Sequence, residues 1–176
     1  MSEVVLVTGI VGGLAQSVAR ALRAQGHRVV GVDYRPMPLR NRLPDGVTVF
    51  RANYNKTRIE EPFRRHRPTL VLHLGRVGNL KEEVGKRFAL NVVGSQRITA
   101  MCLKYGVRRM VVLSTFHIYG ADALNPTPIY EEDPLRAGTR FPEIADAIQL
   151  DNQAVMEMYR HPQLQTVVLR PCNVIG

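Results

Sequence analysis

Tryptophan is absent from this 176-residue chain, and cysteine occurs only twice, at Cys102 and Cys172. Two cysteines so far apart do not make the disulfide framework of a small secreted domain, so we expect a reducing, cytoplasmic setting. No apolar run is long enough to cross a membrane, and no charged and then apolar leader precedes Val4. Internal repeats, low-complexity tracts and metal-ligand spacings are also missing, so we expect neither a membrane partner nor a bound metal.

Acidic residues are in the minority, with 15 Asp and Glu against 24 Lys and Arg, a net charge of +9 and a pI of about 10.1. Such a balance fits a nucleic-acid partner, a surface that attracts phosphorylated small molecules, or an ordinary solvated surface. Aromatic residues are only 6% of the chain and do not alternate with basic ones, as a base-stacking platform requires. Nucleic-acid binding is therefore the weakest of these alternatives. The arginines cluster at Arg35, Arg40 and Arg42 and again at Arg58, Arg64, Arg65 and Arg67.

The first 26 residues combine a short apolar strand, a glycine turn and a helix. Val4 to Val7 are apolar and mostly β-branched, which predicts a buried strand. Gly9 and Gly12 allow a sharp turn close to a ligand, and from Gly13 the apolar residues recur with helical spacing as far as Gly26. Free backbone N–H groups and the positive end of a helix dipole suit a pyrophosphate at such a turn. The alternative is a tight connection that binds nothing.

A second strand, residues 27–32, ends in an acidic residue, Asp33. An acid about twenty residues after a glycine turn accepts hydrogen bonds from the ribose hydroxyls of a dinucleotide. We therefore expect NAD rather than NADP, because Asp33 would repel a 2′-phosphate, although Arg35 two residues later argues the other way. The alternative for Asp33 is a solvated strand end.

The spacing Thr8-Gly9-x-x-Gly12-x-x-Ala15 resembles the loop of the extended short-chain dehydrogenase/reductase superfamily, in its NAD-dependent epimerase/dehydratase group. Residues 106–120 resemble that family's Gly-Val-x-Arg-x-Val-x-x-Ser-Ser-x-x-x-Tyr-Gly segment, and residues 170–176 its Arg-Pro-x-Asn-Val-x-Gly segment. The resemblance implies one α/β dinucleotide-binding domain over residues 1–176, a Rossmann-like doubly wound parallel sheet with strand order 3-2-1-4-5-6. It also implies that the family's smaller substrate domain is not part of this chain.

Further elements follow from apolar patterns and caps along the rest of the chain. The predicted strands cover residues 47–52, 69–75 and 164–171, and a further strand within residues 106–120 ends in Ser114-Thr115. The predicted helices cover 57–66, with Thr57 as N-cap, 81–105, and a third ending near Tyr159 after a loop over 121–140.

The resemblance also implies which residues hold the dinucleotide. Asn53 and Tyr54 would bracket the adenine by hydrogen bonding and stacking, with a polar turn as the alternative. Arg76 stands where the family has a small residue, and it either reaches a phosphate or points to solvent. Asn91 supports the active site or is an exposed helical asparagine, whereas His73 is a packed core residue rather than a base. The full cofactor set is Thr8, Gly9, Val11, Gly12, Gly13, Leu14, Asp33, Tyr34, Arg35, Asn53, Tyr54, Leu74, Gly75, Arg76, Asn91 and Pro171.

By the same resemblance Thr115 is the hydroxyl that orients the substrate, and Asn173 lies near a bound nucleotide sugar. The family's chemistry also needs a tyrosine acid/base and a lysine four residues later, which lowers the tyrosine pKa. Here no tyrosine is followed by lysine at that spacing. Depending on register, Phe141 or Ala145 takes the tyrosine position, and Ala145 or Gln149 the lysine position.

Three functions remain open from the sequence. The first is the NAD-binding domain of an atypical nucleotide-sugar epimerase/dehydratase-like enzyme, in which another group moves the proton. The second is a dinucleotide-binding sensor or scaffold without catalysis, and the third a basic nucleic-acid-binding protein. The expected partners are the dinucleotide and a nucleotide sugar, and assembly as a homo-oligomer is left open.

Overall fold

A computed structural model describes residues 2–38 and 43–173 of the chain, and of Thr139 the backbone alone. Arg40 and Arg42 of the first basic cluster lie outside the described residues, as does the end of the last resembling segment, residues 174–176.

A parallel sheet, with six strands among the described residues, forms the centre of the domain in the order β3-β2-β1-β4-β5-β6. This confirms the predicted strand order. Buried on both faces, parallel strands read as nearly continuous apolar runs, and β1 and β2 have this composition. The strands are β1 Val4–Thr8, β2 Arg28–Asp33, β3 Thr48–Arg51, β4 Leu70–His73, β5 Arg109–Leu113 and β6 Gln165–Leu169.

Within residues 2–38 and 43–173, six α-helices accompany this sheet. The predicted helix 57–66 starts as a 3₁₀ turn after Lys56, so Thr57 lies inside the turn and is not its N-cap, and Lys56 makes no side-chain capping bond. The predicted loop 121–140 ends in a short helix. The α-helices are α1 Gly13–Ala24, α2 Glu60–His66, α3 Val84–Phe88, α4 Gly94–Lys104, α5 Ala137–Arg140 and α6 Ala145–Arg160. Short 3₁₀ turns are Thr57–Ile59, Phe116–Tyr119 and Pro142–Ile144.

The predicted helix 81–105 is a run in which a π-helical turn, Ala89–Val93, joins α3 to α4. Such turns insert one extra residue into the helix and occur frequently at functional sites. Asn91 lies in this turn and is completely buried.

Alternate residues of β1 serve the two halves of the core, because successive side chains of a strand point to opposite faces. Val5 and Val7 pack with Ile10 and Ala19 on the α1 side. Leu6 packs on the other side, in the larger cluster that includes residues of α2 and α4. None of the helices in the described part of the chain is long and apolar enough to cross a membrane.

Strand order reverses between β1 and β4, because the chain runs outward from β1 through β2 and β3 and then returns to β4. In open α/β sheets the loops at the carboxyl ends of such neighbouring strands diverge and leave a crevice for ligands. The glycine loop after β1 and residues 74–79 after β4 therefore face the same opening.

Candidate functional site

Two adjoining clefts open at this edge of the sheet. The first, here called the loop cleft, has a volume of about 420 Å³, and the second, here called the threonine cleft, about 480 Å³. They share Arg76 and Gly78. Of the residues predicted to hold a cofactor, the loop cleft brings together Gly9, Gly12, Tyr34, Arg35, Tyr54, Leu74, Gly75 and Arg76. Thr115 lines the threonine cleft with Phe116, His117 and Phe141.

Gly9 has a positive φ of 72°, and the fold itself requires a glycine there. A Cβ on Gly9 would lie 2.6 Å from the Cα of Gly75, so β1 and β4 could not approach each other as they do. A Cβ on Gly13, by contrast, would meet nothing within 4 Å. The protein's own packing, and not nearness to a ligand alone, therefore requires a glycine at position 9, and of the three glycines in this loop Gly13 is the one beside open space.

Most backbone amides of the glycine loop already donate hydrogen bonds to other groups of the protein. Gly9 N donates to Val32 O at 2.8 Å and to the Tyr54 hydroxyl at 2.9 Å, and Val11 N donates to Asp33 Oδ2 at 3.1 Å. The N-terminus of α1 is different, because its N-cap, Gly12, makes no side-chain capping bond and its first turn carries no acidic residue. The first amides of a helix lack intrahelical acceptors, so this end of α1 suits an anion.

Tyr54 packs beneath the glycine loop and accepts a hydrogen bond from it. Its side chain is 1% exposed, and its ring lies against Gly75, where any Cβ would collide with it. The ring also meets the rings of Tyr34 and His73 edge to face, with centroids 6.3 and 5.8 Å away. Burial raises the pKa of Tyr54, which therefore stays neutral. Because the ring is 1% exposed, the described structure leaves little room for a base against it, and the stacking of Tyr54 on an adenine stays a prediction.

Asn53 lies in a polar turn after β3, which is the alternative that the sequence offered to an adenine contact. Its Oδ1 accepts a hydrogen bond from Asn55 N at 3.3 Å. The side chain is partly exposed and does not line either cleft. An adenine contact by Asn53 stays a prediction.

Asp33 and Arg35 form an ion pair at the end of β2. The Asp33 carboxylate is 1% exposed and accepts from Arg35 Nε at 3.1 Å, from Arg35 Nη2 at 3.0 Å and from Arg35 N at 3.0 Å. Hydrogen bonding to Asp33 raises the pKa of Arg35 in spite of partial burial. The guanidinium thus covers the oxygens that were expected to receive a ribose.

His73 is a core residue, as predicted. Ser95 Oγ donates to Asn91 O at 2.5 Å, which leaves Ser95 to accept from His73 Nε2 at 2.7 Å. Thr8 Oγ1 lies 2.7 Å from His73 Nδ1 and accepts from Gly75 N at 3.1 Å. Burial lowers the pKa of His73 to about 4, so the imidazole is neutral at pH 7, and its unprotonated Nδ1 can accept from the Thr8 hydroxyl. Thr8 therefore fixes residues 73–75 against the loop and does not line a cleft.

A buried polar cluster stands behind both clefts. Asn91 Oδ1 accepts from Val77 N at 2.8 Å, and its Nδ2 donates to Val77 O at 2.9 Å and to Asp146 Oδ2 at 2.5 Å. Arg87 Nη2 donates to Asp146 Oδ1 at 2.7 Å and also to the carbonyl of Glu143. The cluster ties residues 76–79 to the start of α6. Its burial excludes the exposed position considered for Asn91.

Sequence reasoning did not identify Arg87 or Asp146. An arginine inside an amphipathic helix and an aspartate in the first turn of another are ordinary residues there. Only the fold brings them together, across 59 positions of sequence.

Thr115 follows β5 and is 5% exposed, at the wall of the threonine cleft. Its Oγ1 accepts from His117 N at 3.4 Å. Phe141 lines the same cleft, and Ala145 is the first residue of α6, with Gln149 one turn later on the same helix. Among the described residues that line this cleft there is neither a tyrosine nor a lysine.

The described part of the last resembling segment, residues 170–173, makes mainly structural contacts beside this cleft. Arg170 donates to both oxygens of Asp151, at 3.0 and 2.8 Å, and to the Tyr119 hydroxyl at 2.6 Å. Hydrogen bonding to Asp151 raises the pKa of Arg170. Pro171 O accepts from Phe116 N at 3.0 Å, while Asn173 is exposed. A contact of Asn173 with a nucleotide sugar stays a prediction.

Comparison with known proteins gives relatives of the same kind over nearly the whole chain. The UDP-glucose 4-epimerase of Azospirillum brasilense is 26% identical over 176 residues, which cover 98% of this chain and 49% of that protein. The crystal structure of a Thermus thermophilus UDP-glucose 4-epimerase in complex with NAD matches with a TM-score of 0.81 at 28% identity, covering 95% of this chain and 54% of that one. Bordetella bronchiseptica WbmG, in complex with NAD and UDP, has a TM-score of 0.84, covering 100% of this chain and 55% of that one, and at 24% identity it shows the fold alone.

The chain spans about half the length of the relatives it matches. The sequence profile of the NAD dependent epimerase/dehydratase family matches residues 5–176, from β1 to the end of the chain. The matched range contains the glycine loop, the Thr115 segment and the buried cluster around Asn91. This protein belongs to the NAD dependent epimerase/dehydratase family.

Proposed function

We propose that this chain is the NAD-binding domain, residues 1–176, of a nucleotide-sugar epimerase/dehydratase-like protein with an atypical active site. The observation that carries the proposal is the uncapped N-terminus of α1 at the point where strand order reverses, directly beside the loop cleft. One relative and one structural neighbour support it, since the first is a UDP-glucose 4-epimerase and the second is such an enzyme in complex with NAD.

The residues of the loop cleft fit a dinucleotide. The start of α1, at Gly13 and Leu14, would hold the pyrophosphate with backbone amides and the helix dipole. Asp33 and Arg35 lie where the adenosine ribose would bind, at the end of β2. The nicotinamide end would reach the threonine cleft, because the two clefts are continuous at Arg76 and Gly78. Bound NAD would supply a hydride acceptor there.

The threonine cleft is the proposed place of the second ligand. Its walls combine aromatic and aliphatic side chains with the Thr115 hydroxyl. A hydroxyl both donates and accepts, so Thr115 suits an alcohol or carbonyl oxygen whose protonation changes during a reaction. The proposed ligand is a nucleotide sugar.

Phe141 in this cleft, and Ala145 and Gln149 on α6, take the positions at which a proton-moving Tyr-Lys pair is expected. None of these three side chains is an acid or a base. The absence of the tyrosine and the lysine from these positions favours the alternative function, which is a dinucleotide-binding sensor or scaffold without catalysis. Reduction of bound NAD in the presence of nucleotide sugars separates the two functions.

The proposal is tested with a charge placed where α1 begins. Gly13 is exposed and has open space for a side chain, and an acidic residue in the first turn of a helix is stabilising by about 0.3–1 kcal/mol. Gly13→Asp should therefore keep the fold while its carboxylate repels the pyrophosphate. We expect titration calorimetry to show at least tenfold weaker NAD binding, together with an unchanged or higher melting temperature.

Gly13→Asn is the matched control, because it has the same shape without the charge. It should bind NAD several-fold more tightly than Gly13→Asp. Equal NAD affinity in a folded Gly13→Asp variant and in the wild type would remove the α1 N-terminus from the site.

A further inference from the structure

Among the described residues, Arg76 is the one arginine that lines both clefts. It follows β4 by three residues, its amide donates to Leu74 O at 2.9 Å, and its Nη2 lies 3.4 Å from the place of a Cβ on Gly78. The guanidinium therefore lies over Gly78 at the junction of the clefts, and the side chain is only partly exposed.

None of the residues that the structure describes offers the Arg76 guanidinium a hydrogen bond or an ion pair. Other charged groups around the loop cleft are paired, Arg35 with Asp33 and Glu82 with Lys86 at 2.9 Å. Partly buried charges without a partner are costly, and native proteins retain them where a ligand supplies the missing partner. Arg76 thus has five donors available in a planar fork that matches an oxyanion.

Arg76 lines both clefts, and the buried Arg87–Asp146 pair stands behind it. Burial lowers the pKa of Arg76, the charge of Asp146 raises it and that of Arg87 lowers it, so the buried pair behind the clefts acts on this guanidinium. Asp146 is occupied by Arg87 and Asn91 and does not neutralise Arg76 by contact.

Among the described residues that line the threonine cleft, Arg76 is the one side chain with a permanent positive charge. Glu143 also lines this cleft, but it is exposed, so water and salt weaken its repulsion of an anion. His117 is exposed as well, so water competes with any ligand for its ring nitrogens. A pyrophosphate, moreover, already has the start of α1 as its partner.

We propose that Arg76 binds an acid group, a carboxylate or a phosphate, on the ligand of the threonine cleft. The ligand is then an anionic sugar or a similar ring compound whose hydroxyl or carbonyl group lies at Thr115, with its ring between the apolar walls formed by Phe116 and Phe141. This inference rests on the proposed function in taking the threonine cleft as the place of the second ligand. It adds an acid group on the part of that ligand that lies in the threonine cleft, and the residue that binds this group.

The test compares small probes that differ by one acid group. Glucose 6-phosphate and glucuronate are titrated into the full chain, with neutral glucose as the control, and amide shifts are followed by NMR with and without NAD. We expect both acids to shift the amides of Phe116 and His117 saturably, with glucose at least tenfold weaker.

Three variants separate the role of Arg76 from the overall positive charge. Arg76→Gln should weaken binding of both acids about tenfold or more, and Arg76→Lys should restore part of it. Arg58→Gln is the matched control, since it removes the same charge from an exposed arginine that lines neither cleft. It should bind the acids like the wild type.

NAD affinity, measured by calorimetry on the same variants, distinguishes the source of the oxyanion. Unchanged NAD affinity in Arg76→Gln, with the acids lost, supports the proposal. Weaker NAD binding with unchanged binding of the acids would overturn it and assign Arg76 to the cofactor pyrophosphate. Failure of the wild type to bind NAD would instead refute the proposed function, while the titrations without NAD would still decide the role of Arg76.

Discussion

Arg35 holds both carboxylate oxygens of Asp33, two residues before it, and so covers the acid that would select the cofactor. The Asp33 side chain is buried beneath that of Arg35, which is itself 45% exposed. A ribose can reach Asp33 only where Arg35 shares or leaves it, and a 2′-phosphate would find a cation at the same place. The two residues therefore act in opposite directions on cofactor choice.

The first prediction concerns this choice between NAD and NADP. We expect the wild type to bind NAD more tightly, because Asp33 accepts from free ribose hydroxyls and repels a phosphate. Arg35→Gln should widen the preference for NAD about tenfold, since it removes a charged partner of a 2′-phosphate. Asp33→Ala should weaken NAD binding and narrow the preference. Calorimetric titration of both cofactors into the three proteins gives the ratios. Equal or tighter NADPH binding by the wild type would show that Arg35 decides the preference.

The glycine loop shows how much of this site the sequence could predict. The strand, the turn and the helix N-terminus depend on neighbours a few residues apart, so the local pattern from Val4 to Gly26 was sufficient for all three. The reason for Gly9 was not local. Its Cβ would collide with Gly75, far along the chain, and only the pairing of β1 with β4 makes that contact.

Tyr54 and the Arg87–Asp146 pair were beyond local reasoning for the same cause. A tyrosine after a strand is equally suited to exposure and to burial, and here the small residues Gly75 and Gly94 leave room for its ring. The strand order, in contrast, followed from the family resemblance, which carries long-range information that periodicity lacks.

A second prediction follows from the neutral His73. Its pKa is about 4 in the folded protein and about 6.5 when unfolded, so the unfolded chain binds the extra proton first as the pH falls. The contribution of His73 to stability is present above pH 6.5 and is lost as the pH falls towards 4, with a total on the order of 3 kcal/mol. Urea denaturation at about pH 7 and about pH 5 measures the upper part of this loss.

Two histidine variants assign that loss of stability to His73. His73→Gln should unfold more easily at neutral pH but should lose less stability on acidification than the wild type does. His66→Gln is the control, because burial lowers the pKa of His66 as well but its ring is near the surface beside Arg28. If the free energy of unfolding of His73→Gln depended on pH as strongly as that of the wild type, His73 would not be the buried neutral imidazole that causes the loss.

The third prediction concerns the buried pair of Arg87 and Asp146, whose side chains are 2% and 5% exposed. Asp146→Ala leaves a buried guanidinium without its partner, which costs about 3–5 kcal/mol of the free energy of unfolding. Glu82→Ala breaks an exposed pair with Lys86, which water and salt screen, and should cost far less than Asp146→Ala does. Chemical denaturation of both variants gives the comparison. Similar small losses would mean that water enters behind the threonine cleft.

The last prediction is that residues 1–176 alone have no ordinary epimerase or dehydrogenase turnover. Positioned proton transfer contributes roughly 10²–10⁴-fold to a rate, and neither Phe141, Ala145 nor Gln149 can supply it. A substrate held only by the clefts of this domain is also less well oriented, and an error of about one ångström costs on the order of 100-fold. Together these losses should leave no conversion of UDP- or dTDP-sugars above background.

Product analysis by NMR with purified protein, NAD and a panel of nucleotide sugars measures this turnover. Thr115→Ala is the informative variant, because Thr115 is the hydroxyl that lines the cleft where a reacting oxygen would lie. Conversion by the wild type that survives in Thr115→Ala would show that the chemistry lies outside the threonine cleft. Conversion that is lost in Thr115→Ala, with the melting temperature unchanged, would instead establish an atypical enzyme in which a group other than a Tyr-Lys pair moves the proton.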